Sequence, residues 1–411
     1  KGLRPRPDIA KEIASPPYDV LSVKEAKDII KTYPKSFLRI NKAECEFDHF
    51  IDSHNEKVYH KAKKNLNLFI KNGLLIQDDD LCFYLYRLTF NSKCQTGLCC
   101  LMTLEDYEKG LIKKHEHTRP EKVKDRAKHI EYLEAQVGPI FSLFNNSIEI
   151  ENIFNKITSS NPETSFTTDD SVTHDFWVIK ELNVINDIKE KFQALSFTYI
   201  ADGHHRSESA AEVARSKKNS SNNSDSYNYF LQVLFPDNEV NILAYNRIAK
   251  IPPNLTVSKL LSDAKSYFNI LINDSKSFSP ARPNTFGVYA ENTWYKMELL
   301  DGLINKEDPV EGIDAQILQR YFISPFLKIE DPKTDDRIRF VGGIRGNSEL
   351  EKRIDSGEFD IAFSLFPTSV SQLLKVANAQ KVMPPKSTWF EPKLRAGLFI
   401  HTFEPAQTSE A

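Results

Sequence analysis

One stretch limits the possible folds more than any other: "LSFTYIADGHHRSESAAEVARSKK", residues 195–218. A β-branched and aromatic run enters, five polar or glycine positions follow, and an Ala/Glu-rich run with helical spacing leaves. This is a strand, a tight turn and a helix. A strand that feeds a helix N-terminus presents backbone N–H groups and the positive end of a dipole, which favours an anion. Gly203, His204, His205 and Arg206 stand there with Asp202, whose carboxylate can take a metal or a substrate amine. A plainer reading makes Asp202 the helix cap and gives the histidines local hydrogen bonds.

Other segments extend the pattern. "SVKEAKDIIKTYP" reads as a helix capped by Ser22, and "NEKVYHKAKKNLNLFIKNGLL" as an amphipathic helix stopped at Asn72-Gly73. "LCFYLYRLTF" and "CQTGLCCLMTL" predict a hairpin, and residues 105–138 are charged and helical in tone. "PIFSLF", "DFWVIK", "YNYFLQVLFP" and "VNILAYNRIAKI" predict strands, "SVSQLLKVANAQ" a helix, and the polar stretch 216–228 a flexible surface loop. Alternating strands and helices give an α/β (mixed α+β) protein. With 411 residues and 40% hydrophobic content, two or three domains can each bury a core.

Two further clusters could carry chemistry. In "KKHEHTRPEKVKDR" (113–126), His115-Glu116-His117 begins like a zinc-protease HExxH, but Arg119 occupies the second histidine position. Glu116 remains a candidate base, with a solvated charged face as the alternative. In "VMPPKSTWFEPKLRAG" (382–397), prolines stand where a phosphate-binding loop needs glycines, so the backbone cannot cradle phosphate. Lys386, Ser387, Thr388 and Lys393 can still reach phosphate oxygens with their side chains, unless the segment is an ordinary turn packing Met383, Trp389 and Phe390. The chain has 14 glycines, and neither a kinase glycine loop nor its HRD and DFG partners occur. A net charge of −3 gives no general field for nucleic acid. No run approaches the roughly 20 apolar residues of a membrane span. Five cysteines without a CxxC pair predict reduced, buried thiols and a cytoplasmic protein.

The segments "SPPYDVLSVKEA", "LEDYEKGLIKKHEHTRPEKVKDR", "YIADGHHRSESA", "YNYFLQVLFP" and "MPPKSTWFEPKLRAGL" occur in order along nearly the whole chain. Together they resemble the successive signatures of a long-form microbial family, similar to the free-serine kinases built on a ParB/sulfiredoxin-like fold. The resemblance implies a ParB/sulfiredoxin-like core at 111–250, with α/β regions at 1–110 and 251–411. It also implies phosphorylation of free L-serine to O-phospho-L-serine, with inorganic pyrophosphate as donor and Mg2+ as cofactor. ADP- or ATP-dependent kinases, a ParB-like nucleotide- or nucleic-acid-binding regulator and a metal-dependent phosphohydrolase are the alternatives. Glu116 would be the general base, Asp202 and His205 would contact serine, and His204 and Arg206 would face the phosphates. The PPKST loop would close the other side. The same resemblance assigns substrate binding to His115, Thr118, Asp125, Arg126, Gly203, Arg247, Lys386, Ser387, Thr388 and Lys393, and leaves the metal ligands unassigned. A serine hydroxyl is a weak nucleophile and needs a carboxylate to take its proton. The remainder of phosphoryl transfer is positioning and charge neutralisation.

Overall fold

In a computed structural model, residues 1–218, 225–273 and 277–404 are described. The chain forms two compact units, residues 1–240 with 392–411, and residues 241–391. These boundaries differ from those expected at 110 and 250. The hairpin at 83–103 pairs directly with Tyr229–Pro236, so the main sheet runs across the boundary at 110, and only the short pair Leu3–Pro5 with Leu75–Gln77 lies wholly within 1–110. Tyr245–Ala249 pairs instead with Ile338–Gly342 and Ile361–Leu365.

The first unit is organised by an eight-stranded mixed sheet. In chain order its strands are β1 (Phe83–Phe90), β2 (Lys93–Thr103), β3 (Ile112–Lys113), β4 (Ile140–Phe144), β5 (Thr164–Thr167), β6 (Thr173–Ile179), β7 (Thr198–Asp202) and β8 (Tyr229–Pro236). Their order across the sheet is β3-β7-β4-β8-β2-β1-β6-β5. β3 runs parallel to β7, and β8 parallel to β4; the other pairs are antiparallel. Asn91 and Ser92 join β1 to β2 with φ of 49° and 62°, the left-handed pair that a two-residue hairpin turn requires.

Strand alternation sends Leu85, Leu98, Phe144 and Leu234 to one face, where Ile150, Phe154, Ile185 and Ile188 of two helices cover them. On the opposite face Phe399 packs its ring 5.1–5.4 Å from Tyr84, Tyr86 and Phe176. The helix His204–Lys217 buries a face of small residues, among them Ser207, Ala210, Ala211 and Ala214. This allows close approach to the helix Pro120–Leu133, and the Ser209 hydroxyl donates to the Val123 carbonyl at 2.9 Å. The second unit is a six-stranded, fully antiparallel sheet.

Most predicted elements are present. Ser22 forms a capping box with Glu25 at the start of Val23–Thr32, and the second helix runs Glu56–Lys71. The charged stretch 105–138 is not continuous helix. It holds a short helix, the strand Ile112–Lys113, an extended passage, and then Pro120–Leu133. Of the polar stretch 216–228, Asp225–Asn228 is a short 3-10 helix and residues 219–224 lie outside the described ones. All five cysteines are free thiols; Cys45, Cys99 and Cys100 are buried as expected, Cys82 is half-buried, and Cys94 is exposed. Among the described residues no helix is long and apolar enough to cross a membrane.

Candidate functional site

The parallel pairing of β3 with β7 brings the segment leaving Lys113 to the carboxyl end of β7. In α/β sheets this edge is where loops gather around ligands. The register of β7 against β4 shifts between Ile200 and Asp202, the local distortion typical of a bulge beside a site. Gly203 then turns the chain at φ 105°, which a side chain would strain, and the helix begins at His204. A Cβ at Gly203 would lie 3.0–3.1 Å from the Arg206 guanidinium, which folds back over the turn and donates to the Pro139 carbonyl. Gly203 itself is the N-cap and no side chain caps this helix, so Asp202 is not a cap. The Asp202 carboxylate accepts from Lys393 Nζ at 2.9 Å.

Two backbone-to-ring bonds tie residues 115–119 to the first turn of the helix. The His115 N–H donates to His204 Nε2 at 3.3 Å, and the Arg119 N–H donates to His205 Nε2 at 3.1 Å. The His115 and His204 rings meet edge to face with centroids 4.5 Å apart. Burial pushes both histidines down to about 3, with mutual repulsion adding at His115, so both rings are neutral at physiological pH. Because His204 Nε2 accepts, its proton sits on Nδ1. That atom lies 3.7 Å from Glu116 Oε2, beyond hydrogen-bond range, and has no other partner. Glu116 keeps 35% of its side chain exposed while His204 keeps 2%. The carboxylate is therefore reachable from solvent while the rings that frame it are fixed. His117 and Arg119 point out to solvent, and Thr118 is half-buried.

Asp125 and Arg126 are bonded to each other at 2.8 Å, and Tyr59 donates its hydroxyl to Asp125 at 2.6 Å. Burial raises the Asp125 carboxyl, but Arg126 and Tyr59 outweigh it and hold it below its usual value. The Arg126 guanidinium stacks over Tyr18 at 4.2 Å. Arg126 and Arg206 line one cavity, together with Tyr18 and Arg395. Neither Tyr18 nor Arg395 was singled out from sequence, although both stand inside the quoted motifs. The signal for Arg395 was its place two residues after Lys393.

Arg247, Lys386, Ser387 and Thr388 belong to the second unit. Arg247 is buried; its Nη2 donates to the Pro385 and Lys386 carbonyls at 3.1 and 2.9 Å, and its Nη1 to the Tyr245 carbonyl. Burial lowers its pKa to about 9. The Ser387 hydroxyl donates to the Pro384 carbonyl at 2.7 Å, and Thr368 donates to the Ser387 carbonyl at 2.8 Å. Lys386 takes a φ of 56° and is exposed. The loop is thus shaped from within, with Met383 and Phe390 buried beneath it. Arg247 holds it by its carbonyls.

Among the described residues no group of three or more His, Cys, Asp or Glu side chains is arranged to hold a metal ion.

Solved structures similar to the chain include a free serine kinase in complex with AMP, at 12% identity and a TM-score of 0.36, covering 71% of this chain and 86% of that one. A conserved hypothetical protein from Pyrococcus furiosus is 13% identical with a TM-score of 0.35, covering 72% and 92%. SbnI with a C-terminal truncation from Staphylococcus aureus is 11% identical with a TM-score of 0.40, covering 76% and 90%. No curated protein matches the chain. Residues 1–316 match the family described as "Protein of unknown function (DUF1015)", and across that span the chain belongs to this family.

Proposed function

We propose that the chain phosphorylates free L-serine to O-phospho-L-serine, with inorganic pyrophosphate as donor. The observation that carries the reading is the turn Asp202–Arg206. It gathers a solvent-reachable carboxylate at Glu116, an acid–ammonium pair at Asp202–Lys393, and the Arg206 guanidinium over Gly203. The ordered motifs that resemble the pyrophosphate-using serine kinases supply the substrate and the donor, and with them the ParB/sulfiredoxin-like description of the core.

The chemistry assigned to these residues follows from their types and contacts. Serine Oγ attacks a donor phosphorus. Its proton passes to the Glu116 carboxylate as the Oγ–P bond forms and the bridging P–O bond breaks, and the leaving phosphate keeps that electron pair. The neutral His204 ring, with its proton on Nδ1, offers a donor beside Glu116. Asp202 already accepts from a primary ammonium, that of Lys393, and the serine ammonium is the same chemical group. Arg206 and Lys393 supply positive charge to the phosphates. Magnesium, when bound, would neutralise further phosphate charge, and among the described residues no cluster of His, Cys, Asp or Glu forms a preassembled cage for it. It would come with the donor's own oxygens as ligands, the usual habit of Mg2+.

The test is to incubate the protein with magnesium and L-serine, adding pyrophosphate, ADP or ATP separately, and to assay for O-phosphoserine. The reading expects product with pyrophosphate at a far higher kcat/KM than with either nucleotide. Equal or better rates with ATP would overturn the donor, and no phosphoserine with any donor would overturn the kinase.

A further inference from the structure

The cavity beneath Tyr18 is not used by the steps above. Three guanidinium groups line it, each from a different stretch of the first unit: Arg126 from the helix Pro120–Leu133, Arg206 from the first turn of His204–Lys217, and Arg395 from the returning segment. Its volume is about 50 Å³. The lining has one carboxylate, the exposed Asp19. His129 lines it as well but is neutral, because burial and the nearby Arg126 push it down to about 3. The lining thus carries three guanidinium groups, of which Arg126 is paired with Asp125 and Arg395 with Asp170.

Arg395 is the most buried of the three arginines, at 7% exposure. It donates to the Asp170 carboxylate and, at 3.4 Å, to the Thr168 hydroxyl, while its buried Nε has no partner. A buried donor left unpaired is costly, and an anion would satisfy it. The groups behind Arg395 are fixed in turn. Thr168 donates to Asp170 at 2.6 Å and meets His174 Nε2 at 3.2 Å, and His174 Nδ1 meets the Tyr86 hydroxyl at 2.6 Å. His174 is fully buried, so this chain of bonds anchors Arg395 to the sheet.

We infer that this cavity is a binding subsite for a phosphate group, with Arg395 as a ligand that Asp170 and Thr168 position directly and His174 supports from behind. Which phosphate it takes rests on the phosphotransferase reading: the one that leaves when the donor is cleaved. Arg206 belongs to both regions, since its guanidinium covers Gly203 and lines the cavity. The donor would accordingly span from the turn into this pocket.

The experiment is calorimetric titration of the whole protein, without serine, using pyrophosphate and then inorganic phosphate. R395M should weaken both by roughly 10- to 100-fold, the loss expected for one charge-assisted contact, and R395K should recover part of it. D170N should weaken binding less than R395M. Circular dichroism checks the fold of each variant. If R395M does not fold, R126M tests the same pocket from the other wall and should show a comparable loss. Unchanged affinity in a folded R395M or R126M protein would overturn the subsite. Anion binding that these variants lose, in a protein that makes no phosphoserine, would leave the subsite standing and defeat the kinase. Phosphoserine formation by R395M at the wild-type KM for pyrophosphate would do the reverse.

Discussion

At Glu116 two tasks are divided between neighbouring side chains. His115 and His204 are buried and neutral, so they hold geometry; the half-buried Glu116 carboxylate is the group that solvent and substrate can reach. E116Q keeps the shape and removes the base. Turnover to O-phosphoserine should fall by about 10²- to 10⁴-fold with the melting temperature unchanged. Near-normal turnover under conditions where chemistry limits the rate would show that Glu116 is not the base. The proposed roles around the turn separate by substrate. D202N should raise the KM for serine with little effect on that for pyrophosphate, while R206A should weaken the donor by roughly 1.5–3 kcal/mol. Steady-state kinetics with each substrate varied in turn measures both, and identical effects on the two substrates would remove the division.

Among the elements, the strand–turn–helix at 195–218 was legible because its period changes from two to 3.6 across a polar turn. The strand Ile112–Lys113 was not. It is two residues long within a charged run, and its pairing with Thr198–Tyr199 comes from residues far along the chain. Yet that pairing is what delivers Glu116 to the turn. Arg247 shows another limit. The family resemblance assigns it to substrate binding, and only the fold shows that its donors go to the Pro385 and Lys386 carbonyls. Gly203 is the conformational hinge of the site. G203A should cost on the order of 1–2 kcal/mol of stability from its left-handed backbone and displace the Arg206 guanidinium. Urea denaturation and pyrophosphate titration read the two effects separately. A variant with wild-type stability and donor affinity would mean that the turn accommodates a side chain.

For the whole molecule, the five histidines buried among the described residues set the response to acid. Burial lowers His115, His129, His174 and His204 to about 3, against about 6.5 when unfolded. Between those values the unfolded chain binds protons that the folded chain refuses, so stability falls as pH drops below about 6.5. Asp314 acts in the opposite sense: burial lifts it to about 7, so the folded state holds its proton. His401 is lowered by burial as well, so the histidines together outweigh Asp314 and the folded state loses stability as pH falls from 7 to 5. Denaturant titrations at pH 7, 6 and 5 should show this decline, and a flat profile would contradict the buried, neutral rings. The domain boundaries were the least legible feature at this scale, because composition does not change where the chain leaves the first unit at Val240 and re-enters it at Pro392. That interruption orders events in time. On the ribosome, residues 1–240 emerge with the carboxylates Glu116 and Asp202 already in place in the chain. Lys393 and Arg395 follow only after the whole of residues 241–391 has been made. The nascent first unit therefore passes through an interval with Asp202 and Asp170 present and their partners Lys393 and Arg395 still unsynthesised, so the ion pairs that close this site form last.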